Sequence, residues 1–524
     1  MKLDLLKKAG TVSMAWRRAA LECLSKLRKI QYSFPGAVLG EHEKKILWNN
    51  RRSWLGHDKW IVQLLKATDW KNEAHVKEIS DLLRDTESAR MPCWETMCTS
   101  SCQKSTLTEP ENALQLLSLR GGIPRGYAVK CLERASEREI EFYLPLLVHH
   151  LRCEGVVEAP LWEFLVEKAL GRAEFRIHLY WALTLASEDR DNKRMYDGRK
   201  DSLIAIVTQK LGIDEAYVIL NGLELVSICE KLKQYKEAAT KQLNQLTQVH
   251  LPFNPHIIAK AFQTNKITIK DSATAPLVIP VDIESQQPNS TLRFMFKNED
   301  LRKDQLVMNL IQLANIILNK HNLPTLLTYE ILPTASDSGM LQMVDHASTL
   351  YDITKNSRTI WNYFIQKNLT HMQPLELHKT FTNSVAVYSV MSYILDVGDR
   401  HLENIMVTHS AQFFHIDYGF ILGEEPFWKN AVSSKAPVRI TDTMREALIV
   451  ALGESAFEQF IEICCEIFAL LRSHHSLFLN MIAHLHSAKP PIQFPFSFEK
   501  VQQDLVERFK LNYTDEEAKK LFKL

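Results

Sequence analysis

At 524 residues the chain exceeds what one hydrophobic core supports, so two or three domains are expected. An apolar share of 46% beside 24% charged residues excludes disorder over most of the length. A formal net charge of +1 excludes attraction of nucleic acid or anionic lipid by the field of the whole protein, leaving that task to local patches. Glycine (17) and proline (19) are scarce, which favours helices over a strand-rich architecture.

In chain order, residues 1–16 have neither a continuous apolar core nor a small-residue cleavage site, and no signal peptide is expected. Residues 1–40 form a short extension expected to be helical. From about Glu41 to Lys241 apolar residues recur at helical spacing, as in Ile140, Leu144, Leu147 and Leu151. Glycine and proline punctuate these runs at Gly121, Gly122, Pro124, Gly155 and Pro160. The pattern predicts stacked antiparallel helix pairs, a short α-solenoid-like domain over 41–245. Residues Met91 to Glu109 read as an inserted loop. Cys93, Cys98 and Cys102 within it have no histidine nearby and are expected to be reduced thiols of a cytosolic protein, not zinc ligands.

The character changes near Leu251–Pro255. Strands are predicted at Lys266–Lys270, Pro276–Val281, Leu292–Phe296, Thr328–Leu332 and Met340–Val344, with a helix from Leu301 to His321. Beyond Pro374 the pattern is mostly helical. The apolar stretch Ala447–Leu471 carries Glu454, Glu458, Glu462 and Glu466, and so predicts a buried or amphipathic helix and no membrane span. The fold class is therefore α+β. A helical domain precedes a two-lobed α+β domain over 250–524, with an N-lobe of about 250–345 and a C-lobe of about 346–524.

Chemistry concentrates between Tyr393 and Gly423. Two loop pieces, Gly398–Asn404 (GDRHLEN) and His415–Gly419 (HIDYG), flank an apolar hairpin that would bring Asp399, Asn404 and Asp417 to neighbouring loop ends. Oxygen donors grouped in this way suit Mg²⁺ held against the phosphates of a nucleotide. Lys297, at the end of the predicted strand Leu292–Phe296, could meet the phosphates, and Asp304 could pair with it. Singly, each residue has a structural explanation: loop aspartates mostly cap turns, and a lysine after a strand is usually solvated. Their order and spacing together point to phosphoryl transfer.

At these residues the chain resembles the phosphatidylinositol 3-kinase family within the 3-/4-kinase superfamily. That family writes its catalytic loop GDRHxxN and its metal motif DFG, which stand here as Gly398–Asn404 and Asp417-Tyr418-Gly419. Its FKxGDDLRQD element appears one residue shorter, as Phe296-Lys297-Asn298-Glu299-Asp300-Leu301-Arg302-Lys303-Asp304. Upstream, Glu111–Leu117 and Arg125–Val129 look like the helical accessory domain of the 3-kinases. The resemblance implies that Lys297 contacts ATP phosphate and is oriented by Asp304. It implies that Leu341, Gln342 and Val344 form an adenine hinge, and that Met295, Met406 and Ile416 line the adenine slot. Asn404 and Asp417 would hold Mg²⁺ or Mn²⁺. Asp399 and His401 would deprotonate the inositol hydroxyl or stabilise charge during transfer. A phosphate-covering loop is expected at Asp271–Pro276. Thr274 stands there where several 3-kinases have lysine, which gives Ser272 and backbone N–H groups a larger share.

The implied reaction transfers the ATP γ-phosphate to the 3-hydroxyl of phosphatidylinositol at a membrane surface. The protein would be cytoplasmic and peripheral, with a regulatory protein subunit as an expected partner and no nucleic acid. Lys429, Lys435 and Arg439 are the expected head-group contacts, partly offset by Glu424 and Glu425. Three scattered cations favour phosphatidylinositol itself or a monophosphate. The segment's length and Lys435-Ala-Pro437, however, resemble classes that prefer phosphoinositides. A 4-kinase and a catalytically inactive helical scaffold are the competing readings. A protein kinase of the related giant family is disfavoured, because its longer helical region and distinct tail are not seen. The family usually continues past the position of Lys523-Leu524 with an amphipathic helix, so either the chain is truncated or lipid engagement is expected to be built differently.

Overall fold

The computed structural model describes Ile30 and residues 39–54, 58–88, 108–119, 121–155, 158–271, 274–285, 290–367, 372–424, 440–450, 453–492, 494 and 496–523. Nearly all of the expected N-terminal extension, most of the 91–109 loop with its three cysteines, Ser272, and the head-group candidates Lys429, Lys435 and Arg439 lie outside the described residues. The chain divides into two compact units, one of residues 1–136 with 153–161 and one of residues 137–152 with 162–524.

The first unit is helical, with helices at Glu41–Asn49, Arg51–Trp54, Asp58–Ala67, Glu73–Ser88, Pro110–Ala113 and Gly122–Leu132. The last of these starts with Pro124 in its first turn, where the missing N–H costs nothing, and is buried over most of its surface. Arg125 lies inside it as a buried cation. Its guanidinium is 3.4 Å from the Glu154 carboxylate, with both side chains at most 2% exposed, and it donates to the Leu117 carbonyl. Glu154 also accepts the Leu161 N–H at 2.8 Å.

In the second unit helix Glu137–His150 packs on Ala173–Ala186, that on Lys193–Leu211, and that on Ile213–Lys231. This serial packing is what the helical spacing predicts. A seven-stranded antiparallel sheet follows, made of β1 (Val249–Leu251), β2 (Asn254–Phe262), β3 (Thr268–Ile269), β4 (Leu277–Ile283), β5 (Thr291–Lys297), β6 (Ile331–Ala335) and β7 (Ser338–Gln342). Its order is β1-β2-β4-β5-β7-β6, with β3 on β4.

The nine-residue β2 was not anticipated. The change of character expected near Leu251–Pro255 is a tight hairpin in which Leu251 pairs with Asn254, with Pro252 in the turn and Pro255 on β2. The strand expected at Thr328–Leu332 lies further on, at Ile331–Ala335, and that at Met340–Val344 starts earlier, at Ser338. Gly339 sits opposite Lys297 in the ladder and has no room for a side chain: an added Cβ would lie 2.8 Å from the Leu332 carbonyl and 2.7 Å from Leu301.

The long helix Arg302–Lys320 buries Leu306, Leu310, Leu313, Ala314 and Ile317 along one stripe. A smaller sheet, β10-β9-β8, joins Ala347–Thr349 (β8), Ile405–Thr408 (β9) and Phe413–His415 (β10). Its hairpin rests on an aromatic cluster of Phe364, Phe381, Tyr388 and Phe413, with ring centroids 5.5–6.0 Å apart. The expected helix over 447–471 is broken in two, Asp442–Ile449 and Glu454–Ser473, because Gly453 adopts φ +69° between them. Near the end of the chain helix Asp515–Lys523 packs through Phe522, which stacks on Phe468 at 4.2 Å.

Candidate active site

The alternation of β5 decides where Lys297 points. Leu292, Phe294 and Phe296 are buried in the core, so Met295 and Lys297 share the opposite face and stay partly exposed. Met295 pairs with Leu341 across the ladder, which places two expected slot residues side by side. Gln342 N–H donates to the Glu330 carbonyl and Met343 N–H to that of Arg293, fixing the end of β7. Val344 lies in the short link between β7 and β8. Met406 on β9 and Ile416 just after β10 are also partly exposed.

The Lys297 ammonium is ion-paired with Glu299. Burial by itself would depress its pKa, but Glu299, Asp304 and Asp417 outweigh burial and hold it above the ordinary lysine value. The expectation that Asp304 pairs directly with Lys297 is corrected. Glu299, two residues along the turn, takes the ion pair, and Asp304 instead accepts the Tyr418 N–H at 2.9 Å. Asp304 sits in the first turn of the Arg302–Lys320 helix, where the helix dipole favours an anion. Burial and then the Asp417 charge push its carboxyl up to about 6, against the opposing pull of Lys297 and the Tyr418 N–H. The amine and the two carboxylates therefore act within one electrostatic group.

The loops Gly398–Asn404 and His415–Gly419 are wired together by Arg400. Its guanidinium donates to Gly398 O at 2.8 Å, to Ile416 O at 2.9 Å and to Asp417 O. Gly398 N–H donates to Phe420 O (2.9 Å) and Ile416 N–H to Asn404 O (3.1 Å). Neither this role of Arg400 nor the Glu299 pair was assigned from sequence. Only the invariable charge of an arginine beside a backbone-rich loop pointed that way. Asp399 and Asp417 both occupy the left-handed region, at φ +49° and +63°.

Asn404 is buried and gives its amide nitrogen to the Asp399 carbonyl at 3.1 Å, which leaves its amide oxygen as the donor for a cation. Asp417 is exposed, and one of its carboxylate oxygens accepts Gly419 N–H at 3.3 Å. Two oxygen donors fit a hard divalent ion whose remaining ligands are phosphates and water. Among the described residues no group of three or more His, Cys, Asp or Glu forms a self-contained metal site. His401 is 42% exposed, accepts the Glu403 N–H on Nδ1 at 3.2 Å, and holds Nε2 3.8 Å from Asp399. A cavity of about 380 Å³ in the same unit is lined by Arg302, Gln305, Asn309 and Glu330 among others, but by none of Lys297, Asp304, Asn404 or Asp417. Chemistry, not volume, locates the site.

Residues 291–493 match the family model for phosphatidylinositol 3- and 4-kinase, and residues 18–212 match that for the phosphoinositide 3-kinase accessory (PIK) domain. The chain is 27% identical to phosphatidylinositol 3-kinase VPS34 of Arabidopsis thaliana over 98% of its own length and 64% of that protein's. It is 25% identical to the VPS34 of Saccharomyces cerevisiae, over 94% of the chain and 61% of the yeast protein. Against the human phosphatidylinositol 3-kinase C2 domain-containing subunit gamma the identity is 28%, over 88% of the chain and 31% of that protein. The chain thus spans less than two thirds of the length of these relatives. Residues 291–493 thus carry the phosphatidylinositol 3- and 4-kinase domain and residues 18–212 the PIK accessory domain of the phosphoinositide 3-kinase family.

Proposed function

We propose that this chain transfers the γ-phosphate of ATP to the 3-hydroxyl of phosphatidylinositol. The observation that carries the reading is the electrostatic grouping of Lys297 with Asp304 and Asp417, residues from two distant parts of the sequence. In this reading residues 41–245 serve as the accessory domain and 250–524 as the catalytic one. Met295, Leu341, Met406 and Ile416 flank the adenine, while main-chain groups of Gln342 and Val344 bind its edge.

Lys297 neutralises phosphate charge once an incoming phosphate displaces it from Glu299. Asn404 and Asp417 would hold Mg²⁺ or Mn²⁺, which when bound offsets charge on the β- and γ-phosphates. The acceptor on Nδ1 of His401 leaves the ring proton on Nε2 in the neutral form. Asp399 therefore takes the inositol proton, and the Nε2–H of His401 steadies the charge that develops beside it. Phosphoryl transfer asks mainly for positioning and charge, and the Arg400 bonds supply the first.

Among the described residues no helix is long and apolar enough to cross a membrane. Peripheral action from the cytoplasm, head-group contacts at Lys429, Lys435 and Arg439, phosphate contact at Ser272, and a regulatory subunit complete the proposal. The test is labelled ATP with phosphatidylinositol vesicles and identification of the product isomer. A 3-phosphate lost in Asp417→Asn is expected. A 4-phosphate would make the chain a 4-kinase, and no lipid product would leave the scaffold reading.

A further inference from the structure

Lys303 stands where the family element carries glutamine, and its surroundings are built for a cation. Its ammonium donates to the Gly419 carbonyl at 3.2 Å, is ion-paired with Glu424, and lies 4.8 Å from the centroid of the Phe494 ring. Both members of the pair are largely buried, at 13% and 11% side-chain exposure. Gly419 and Glu424 bracket the first six residues after Tyr418. A glutamine amide could donate to one carbonyl, but it could not neutralise a carboxylate.

The neighbouring restraints show what this contact governs. Residues 416–418 are fixed without Lys303, by Arg400 at two carbonyls and by Asp304 at the Tyr418 N–H. Between 420 and 424 the backbone is tied by Gly398 N–H to Phe420 O, Leu422 N–H to Leu395 O and Gly423 N–H to Asp396 O. No side chain other than that of Lys303 is seen to hold Glu424 among the described residues. Lys303 thus acts just downstream of Asp417, at the start of the segment to which the proposed function assigns the head-group contacts. The pair also cancels the Glu424 charge, so this carboxylate does not oppose an anionic head group.

We propose that Lys303 is a positioning residue for the lipid: it holds Gly419–Glu424 in place and neutralises Glu424 beside the path of an anionic lipid head group. The inference rests on the lipid-kinase reading. It is tested with the full chain by titrating phosphatidylinositol in phosphatidylcholine vesicles, and separately ATP, for the wild type, Lys303→Gln, Lys303→Arg, Glu424→Gln and the double Lys303→Gln/Glu424→Gln variant. Loss of one largely buried charge-assisted contact should raise the KM for the lipid about tenfold in Lys303→Gln, with the KM for ATP within about twofold of wild type. Lys303→Arg should recover most of the loss. Glu424→Gln keeps the Gly419 contact and should shift the lipid KM by about threefold or less. The double variant should bind lipid better than Lys303→Gln alone, because the freed carboxylate is gone. A lipid KM that does not move in Lys303→Gln, or that moves in step with the KM for ATP, overturns the assignment. A wild type that labels no lipid removes the lipid-kinase reading, and this inference with it.

Discussion

Two charge groups in this molecule are handled in opposite ways. In the helical unit Arg125 meets a carboxylate, a carbonyl acceptor stands ready for it, and the carboxylate in turn holds a backbone N–H. The two charges of that pair balance each other, and burial lowers the Arg125 pKa against the pull of Glu154. At the candidate site Lys297, Glu299, Asp304 and Asp417 bring three carboxylates to one amine, and burial, followed by the Asp417 charge, pushes Asp304 up to about 6. That group has an excess of negative charge, which a divalent cation would relieve. The contrast separates a balanced buried pair, which serves the fold, from an anionic cluster whose charge suits a cation.

The comparison can be broken or sharpened by substitution. Asp417→Asn should lower phosphoryl transfer by about 10³-fold or more with little change in the unfolding midpoint, checked by single-turnover labelling beside thermal unfolding. Glu154→Ala should do the converse. Removing one partner of a buried pair costs about 3–5 kcal/mol, read from denaturant unfolding, while activity per folded molecule is retained. Equal effects on both quantities in either variant would erase the distinction.

The pH dependence has two signs. The Asp304 carboxyl moves from 3.8 to about 6 on folding, so the folded state binds its proton more tightly. Its contribution to stability is therefore full below pH 3.8 and is lost as pH rises through 6. Activity should run the other way, because protonation weakens the acceptor for Tyr418 N–H. Rates should fall about tenfold per unit below pH 6, with the limb absent in Asp304→Asn. The smallest effect is expected at Glu299. Glu299→Gln frees the Lys297 amine from a competing carboxylate and should lower the KM for ATP about threefold. A rise would instead make Glu299 the group that aims the lysine.

Much of this was legible because the decisive residues lie in short contiguous runs. Gly398–Asn404 and Asp417–Gly419 specify their loops locally, and the alternation in Leu292–Lys297 gives the lysine its face. The α+β class, with helices first and a sheet with further helices after it, followed from periodicity and turn residues. What was missed depends on long-range geometry or on competition between neighbours. The Arg400 bonds reach carbonyls 16 and 17 residues away, and carbonyls carry no sequence signature. Lys303 contacts residues 116 and 121 positions further on. The Glu299 pair was hidden for a different reason: the shortened turn offers Lys297 two carboxylates, and only coordinates decide between them. β2 was lost because prolines at a hairpin and prolines at a linker look alike in one dimension.

The left-handed backbone at positions 399 and 417 constrains how descendants of this chain could lose their chemistry. Asparagine and glycine accept that conformation readily, whereas β-branched replacements resist it. A lineage drifting towards a non-catalytic scaffold would thus pass most smoothly through those two residues, with folding undisturbed and the silence visible only in an assay.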